Sequence, residues 1–204
     1  MKNRKRARRL PADERRAVTV QTVLELAAEQ NPDEITTTDM AGRMRMTQGA
    51  LFRHFPTKDA IWEAVMEWVA ERILARVDEA GRSAGTSLEA LEAVFMAHMD
   101  FVTEHAGVPR ILFGELQRRG DTRAKRMVRK LLAQYGKRLQ AIIEQGKARG
   151  EVAPDVDPAA ASALFIGTIQ GLVMQSLLTG KSDGMRAQAD EVFAIYQRGI
   201  RSMP

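Results

Sequence analysis

The 204-residue chain predicts an all-α protein, a three-helix head followed by a longer helical body. Three observations carry that prediction. Apolar residues recur at the 3.6-residue helical period from end to end, and no strand-like alternation of useful length interrupts them. Capping signals precede several of these stripes: Thr36 with Asp39, Thr86 with Glu89, and Asp157 with Pro158. Glycine, proline and asparagine stand where the stripes stop. Nine helices and no sheet are expected.

In order, the first stripe is Ala17, Val20, Val23, Leu24 and Ala27, closed by Asn31-Pro32. Two short helices follow, at about 37 to 44 and 48 to 54. A long helix runs from about 58 to 80 and ends near Gly81 and Gly85. Its stripe of Ile61, Trp62, Val65, Met66, Trp68, Val69 and Ile73 is wide enough for burial on more than one side. Leu88, Leu91, Phe95, Met99 and Val102 mark the next helix, which Gly107 and Pro109 are expected to break. A short helix passes through Ile111, Leu112, Phe113 and Leu116 to Gly120. Another carries Met127, Leu131, Tyr135, Leu139, Ile142 and Ile143 as far as Gly150. The eighth opens at Asp157-Pro158 and ends at Gly180. The last bears Met185, Ala189, Val192, Phe193, Tyr196 and Ile200.

Composition narrows the function. Hydrophobic residues make up 45% and charged residues 28%, values ordinary for a globular protein. With no cysteine, disulfides, thiolate metal sites and cysteine nucleophiles are excluded, and a cytoplasmic setting is expected. No apolar run is expected to be long enough to span a bilayer, and the basic N-terminus lacks the apolar core of a secretory signal. The net charge of +5 is unevenly placed. Residues 1–60 hold 12 basic and 8 acidic side chains, and the first ten residues are basic without an acidic neighbour. Such an end suits a polyanion, whereas the body is nearly neutral. The arm containing Arg4 and Arg6 either reaches a DNA minor groove or is a solvated tail.

The most informative stretch is Ile35 to Lys58, ITTTDMAGRMRMTQGALFRHFPTK. Thr36 and Asp39 cap a two-turn helix, and Thr47 is a good N-cap for the next one. Met40, Met44, Met46, Leu51 and Phe55 are spaced to form a small core. Two short helices joined by a tight turn make a helix-turn-helix, although a plain helical hairpin has the same outline. The face left outside carries Gln48, Gly49, Ala50, Arg53 and His54, groups that suit base edges, thymine methyls and phosphates. Lys58 lies in the first turn of the long helix, where the dipole disfavours a cation by about 0.3–1 kcal/mol. A bound phosphate would account for it, and so would compensation by Asp59.

This stretch resembles the DNA-binding signature of the tetracycline-repressor (TetR) family at Thr36, Ala41, Thr47, Gly49, Ala50, Leu51, His54, Phe55 and Lys58. The resemblance implies an all-helical homodimeric repressor of double-stranded operator DNA that a small-molecule effector releases. It implies phosphate contacts at Thr36, Thr47, His54 and Lys58, base-facing positions at Gln48 and Ala50, and close backbone approach at Gly49. Two positions depart from the family pattern. Phe52 stands where tyrosine is usual, and Arg45 stands where the turn usually has glycine. A left-handed Arg45 would cost roughly 1 kcal/mol, which a phosphate contact would offset. The expected division is a flexible basic arm at 1–10, a helix-turn-helix domain at 11–57, and a ligand-binding and dimerisation domain at 58–204.

In the body, Ala163, Gly167 and Gly171 recur at spacing four on one helix, and two mid-helix glycines need a reason. Close approach of a second helix is one, either across a dimer seam or within the subunit. The expected seam comprises Ala163, Gly167, Ile169, Gly171, Met174, Leu178, Phe193 and Tyr196. An apolar effector pocket is expected among Trp62, Met66, Val69, Phe95, Met99, Ile111, Phe113 and Tyr135, although these residues serve a core equally well. No catalytic set, metal site or cofactor motif is found. His98, on the apolar stripe, reads as a core histidine rather than a metal ligand. A DNA-associated structural protein of the same fold, without small-molecule control, is the alternative function.

Overall fold

The computed structural model describes residues 11–82, 84–180 and 183–202. Arg4 and Arg6 of the basic arm lie outside them. The described chain forms α1 (Ala12–Glu29), a 3-10 turn (Pro32–Glu34), α2 (Thr37–Arg43), α3 (Gln48–Phe52), α4 (Lys58–Arg82), α5 (Ser87–Glu104), α6 (Gly107–Gln117), α7 (Arg123–Ala148), α8 (Pro158–Thr179) and α9 (Asp183–Ile200). No strand occurs among the described residues. One antiparallel bridge, Val152 to Arg201, ties the end of α9 to the loop after α7.

The head forms around α1. Val20, Val23, Leu24 and Ala27 are buried as the stripe requires, but Ala17 is exposed. Thr19 and Thr22 are buried with that stripe, because each hydroxyl donates to the carbonyl four residues back, Arg15 and Val18, at 2.9 Å. Ile35, Met40, Leu51 and Phe55 are fully buried, and Met44 and Met46 pack at the edge. The small core expected for two short helices is therefore present, continuous with α1 and the start of α4 through Ile61 and Val65.

α4 is the spine of the molecule, packed against α1, α5 and α7. A bidentate pair fixes it to α7, with the Arg138 guanidinium donating to both Asp78 carboxylate oxygens at 2.6 and 3.1 Å. Gly107 and Pro109 do not separate α5 from α6, as expected, but open α6. Proline is tolerated there because a first-turn N–H has no intrahelical partner. Gly107 is required by proximity, since a Cβ would stand 2.1 Å from the Leu24 carbonyl oxygen of α1. The missing side chain lets α6 lie directly on the head.

α8 corrects another expectation. Its 22 residues carry no charge, and an 18-residue window of it has a mean hydropathy of 1.5, long and apolar enough to cross a membrane by length and composition. Only 33% of that apolar window is buried within the chain. One face, with Phe165, Ile169, Leu172 and Val173, enters the core, and the opposite face is uncovered.

Candidate nucleic-acid interface and ligand cavity

The turn between α2 and α3 determines how α3 is presented. Arg45 has φ of +53°, the only described non-glycine residue with positive φ. Its N–H donates to the Gly42 carbonyl at 3.0 Å, and the Met46 N–H reaches the Ala41 carbonyl at 2.9 Å. This is the glycine-type C-cap formed by an arginine, at a cost of roughly 1 kcal/mol. Thr47 then accepts from the Ala50 N–H at 3.2 Å and starts α3. Gln48, Gly49, Phe52 and Arg53 are exposed, Ala50 and His54 half-buried, and Leu51 is fully inside. Phe52 is 40% exposed, so an aromatic ring without a hydroxyl lies on the outward face. The Arg45 and Arg53 guanidiniums have no partner among the described residues.

Other expected contact residues have partners within the chain. The Thr36 hydroxyl donates to the Asp39 carboxylate at 2.6 Å and accepts from its N–H at 3.1 Å. The Thr36 hydroxyl and backbone amide, with Lys58 nearby, hold the Asp39 carboxyl below the usual carboxylate range. The Gln48 amide donates to the buried Thr37 hydroxyl at 2.5 Å, so this side chain must change partners before it can read a base. Thr57, which the sequence did not single out, caps α4 by accepting from the Ala60 N–H at 3.1 Å. The Lys58 ammonium lies 5.9 Å from the Trp62 ring centroid, free to turn outward.

Sequence reasoning missed Arg16. Its guanidinium lies 4.5 Å from the Phe55 ring centroid and donates to the His54 carbonyl at 3.0 Å. α1 thereby holds the end of the reading helix, a contact across 38 residues with no local signature. Arg43 serves a structural role instead, ion-paired with Glu29 and 3.9 Å from Glu25 on α1.

Residues 21–65 match the family described as "Bacterial regulatory proteins, tetR family", and residues 114–192 match "Tetracyclin repressor-like, C-terminal domain". Together the two matches span more than half of the chain. The chain belongs to the TetR family. It is accordingly a DNA-binding regulator, and the match at residues 21–65 includes the stretch Ile35–Lys58. Two relatives are the nucleoid occlusion factors SlmA of Alteromonas mediterranea and Vibrio cholerae, 22% and 23% identical. The matches cover 90% and 92% of this chain and 94% and 96% of those proteins. Among solved structures, the ketosteroid regulator KstR2 of Mycobacterium tuberculosis superposes with a TM-score of 0.76 at 21% identity, covering 93% of this chain and 96% of that one. FadR of Bacillus subtilis, solved with stearoyl-CoA, gives 0.79 at 18% identity, covering 91% and 99%.

In this TetR-family body, an apolar cavity of about 90 Å³ lies among α4, α5, α6, α7 and α8. Met66, Val69, Phe113 and Tyr135 line it as expected. Phe95 and Met99 do not, because both are fully buried in the core. Phe95 packs at 5.3 Å against the rings of both Phe165 and Phe193. Trp62 and Ile111 border a separate cleft of about 180 Å³ at the junction of head and body, where Lys58, Asp59, Glu115 and Arg118 also lie. Two further polar groups of the cavity were not anticipated: His98, whose Nδ1 lies 3.1 Å from the Tyr135 hydroxyl, and Gln170 at the edge. Burial lowers the His98 pKa to about 4, so the ring is neutral near pH 7.

The expected seam divides in two. Ala163, Gly167, Met174 and Leu178 are exposed and Gly171 is half-buried, all on the uncovered face of α8. Leu164 (58% exposed), Leu178 (79%) and, on α9, Ile195 (62%) extend it. Ile169, Phe193 and Tyr196 are instead buried within the subunit, and the Tyr196 hydroxyl donates to the Ala161 carbonyl at 3.2 Å. A Cβ added at Gly167 or Gly171 would meet nothing within 4 Å. Close packing inside one subunit therefore does not explain these glycines.

Proposed function

We propose that the protein represses transcription by binding a palindromic operator as a homodimer, and that a small, largely apolar molecule in the body cavity releases it. The observation that carries this reading is the path of α4. Its first residue, Lys58, stands beside the reading head, while Met66, Val69 and Ile73 of the same helix wall the cavity. α6 contacts both ends of that path. Val108, Leu112 and Phe113 line the cavity, and Arg118, just after α6, lies 3.7 Å from Asp59. The buried Glu115 holds Arg118 at 3.2 Å and also bonds Thr122 at the start of α7. A ligand favouring another setting of α4 and α6 would move the head, and would act only through its differential affinity for the two settings.

The uncovered face of α8 supports the dimer. A twofold seam there would place two α3 helices about 34 Å apart, facing successive major-groove turns of one DNA face. We infer a binding protein rather than a catalyst, acting in the cytoplasm where the chromosome lies.

The test is binding to a duplex from the chain's own upstream intergenic region, by fluorescence anisotropy over a salt series, with a random duplex as control. Protection of a palindrome and a linear fall of log affinity with log salt are expected. Equal affinity for the random duplex would overturn the operator reading. The likeness to the nucleoid occlusion factors SlmA, at 22% and 23% identity, gives weak support to a second reading, DNA association without effector control. Broad binding at many chromosomal sites, unaffected by any cavity ligand, would establish that one instead.

A further inference from the structure

The polar lining of the cavity defines its ligand more narrowly, and the inference rests on the effector reading above. Of eighteen lining residues none carries a formal charge, and only His98, Tyr135 and Gln170 have polar side chains. Of the cations within one turn of the lining, Arg76 pairs with Glu104 beyond Ile73 and Arg138 with Asp78 beyond Tyr135, while Arg72, Arg110, Arg129 and Lys130 occupy exposed positions and none of them lines the cavity. We infer that the cavity takes an uncharged, mainly apolar molecule bearing one hydrogen-bonding oxygen, seated against the His98–Tyr135 pair, and rejects the corresponding carboxylate.

The chemistry of the pair sets the preference. If the Tyr135 hydroxyl donates to His98 Nδ1, the Nε2–H remains as a donor. If Nδ1–H donates instead, the tyrosine O–H remains. Either tautomer leaves one donor for a carbonyl, ether or hydroxyl oxygen. Neither group supplies a charge: burial keeps the imidazole neutral and raises the phenol far above its ordinary value. A carboxylate would lose its hydration with no counter-ion to replace it. A plain alkane would fit the apolar walls but leave the donor unmatched.

A chain-length-matched series tests this directly on the full protein without DNA: heptan-2-one, heptan-1-ol, heptane and heptanoate at pH 7.5, by calorimetry and thermal melting. The ketone and alcohol should bind about tenfold or more tighter than heptanoate and heptane. The double variant His98→Leu/Tyr135→Phe, checked for its helical signal, should leave heptane binding intact and abolish the ketone's advantage over it, whereas either single substitution still leaves one donor and should keep part of that advantage. Heptanoate binding as well as the ketone would overturn the inference, as would failure of all four to bind or a ketone preference that survives both substitutions. The effector reading is judged separately, by adding the same compounds to the protein–DNA complex. A ketone that binds selectively but leaves the complex intact sinks release and keeps the cavity assignment. Release by heptanoate alone does the reverse.

Discussion

α3 and α8 both expose more small and apolar surface than a solvated helix carries, but they do so in different settings. α3 is five residues long and shows Gln48, Gly49 and Phe52 beside the unpaired cations Arg45 and Arg53. α8 is 22 residues long and shows Leu164, Gly167, Met174 and Leu178 with no charge at all. A surface of donors and cations fits a polyanion, whose affinity falls with salt. An uncharged face with a glycine channel fits another apolar helix, whose association depends on area and close approach. On the proposed reading the head would meet DNA through charge and the body a second copy through shape. The clearest way to break either is to give it the other's chemistry.

The largest effect is expected from Gly167→Arg, which puts a cation into the channel of α8. The isolated subunit has room for it, so the helical content should hold while light scattering reports half the mass. Operator affinity should then fall by about 100-fold or more, because the second half-site loses its tether. A variant that remains dimeric would show that the seam lies elsewhere. Gly167→Ala is the finer probe. In a lone subunit it should stabilise α8 by up to about 1 kcal/mol, whereas a partner helix in close contact would turn that gain into weaker dimerisation.

Next in size is the acid response of the cavity. His98 titrates near 4 in the folded chain, against about 6.5 unfolded. Below pH 6.5 the unfolded chain takes up a proton that the folded chain refuses. Stability contributed by the neutral ring is therefore complete above 6.5 and lost as the pH falls towards 4, by up to about 3 kcal/mol. His105, in edge contact with Trp68 and Phe101, is pushed the same way by burial. The readout is therefore the difference between wild type and His98→Leu in denaturant titrations at pH 7 and pH 5. A parallel loss in both would remove His98 from the account.

The head yields smaller, salt-dependent effects. Lys58→Ala should weaken operator binding by about tenfold and lower the salt slope by about 0.9, one phosphate contact. Arg43→Ala removes the same charge from a residue already paired with Glu29, and should leave the slope unchanged. If the two variants shift the slope equally, the head acts through net charge and not through particular contacts.

The same contrast explains what the sequence could and could not disclose. Helix starts were readable because capping is local: Thr36, Thr47, Thr86 and Asp157 all accept from the backbone N–H three residues on. The reading head was readable because its motif is contiguous. The inner face of α8 was not, because a helix without a polar side carries no mark of which side is inside. α9 has charged residues and buries its stripe of Met185, Ala189, Phe193, Tyr196 and Ile200, but its seam residues were misassigned. Phe193 and Tyr196 had the composition expected of a seam and lie in the core, whereas Ile195 between them points out. The pocket failed in the same way at Phe95 and Met99, whose residue types suit a cavity wall and a packed core alike. Arg16 and Gly107 depend on contacts between segments distant in sequence, which periodicity does not encode.

Arg45 is the subtlest position, since strain and charge act together there. Its positive φ costs roughly 1 kcal/mol, and glycine would remove that strain while adding up to about 1 kcal/mol of unfolded-state entropy. Arg45→Gly should therefore leave the melting temperature almost unchanged, while Arg45→Ala keeps the strain and should match wild type within the same margin. DNA binding separates the roles that stability cannot. If the guanidinium meets a phosphate, both variants lose the same increment of salt slope, about 0.9, and the strain is a cost of placing that charge beside the reading helix. If neither slope moves, Arg45 has no share in the interface, and the arginine in place of glycine has no binding role to offset its strain.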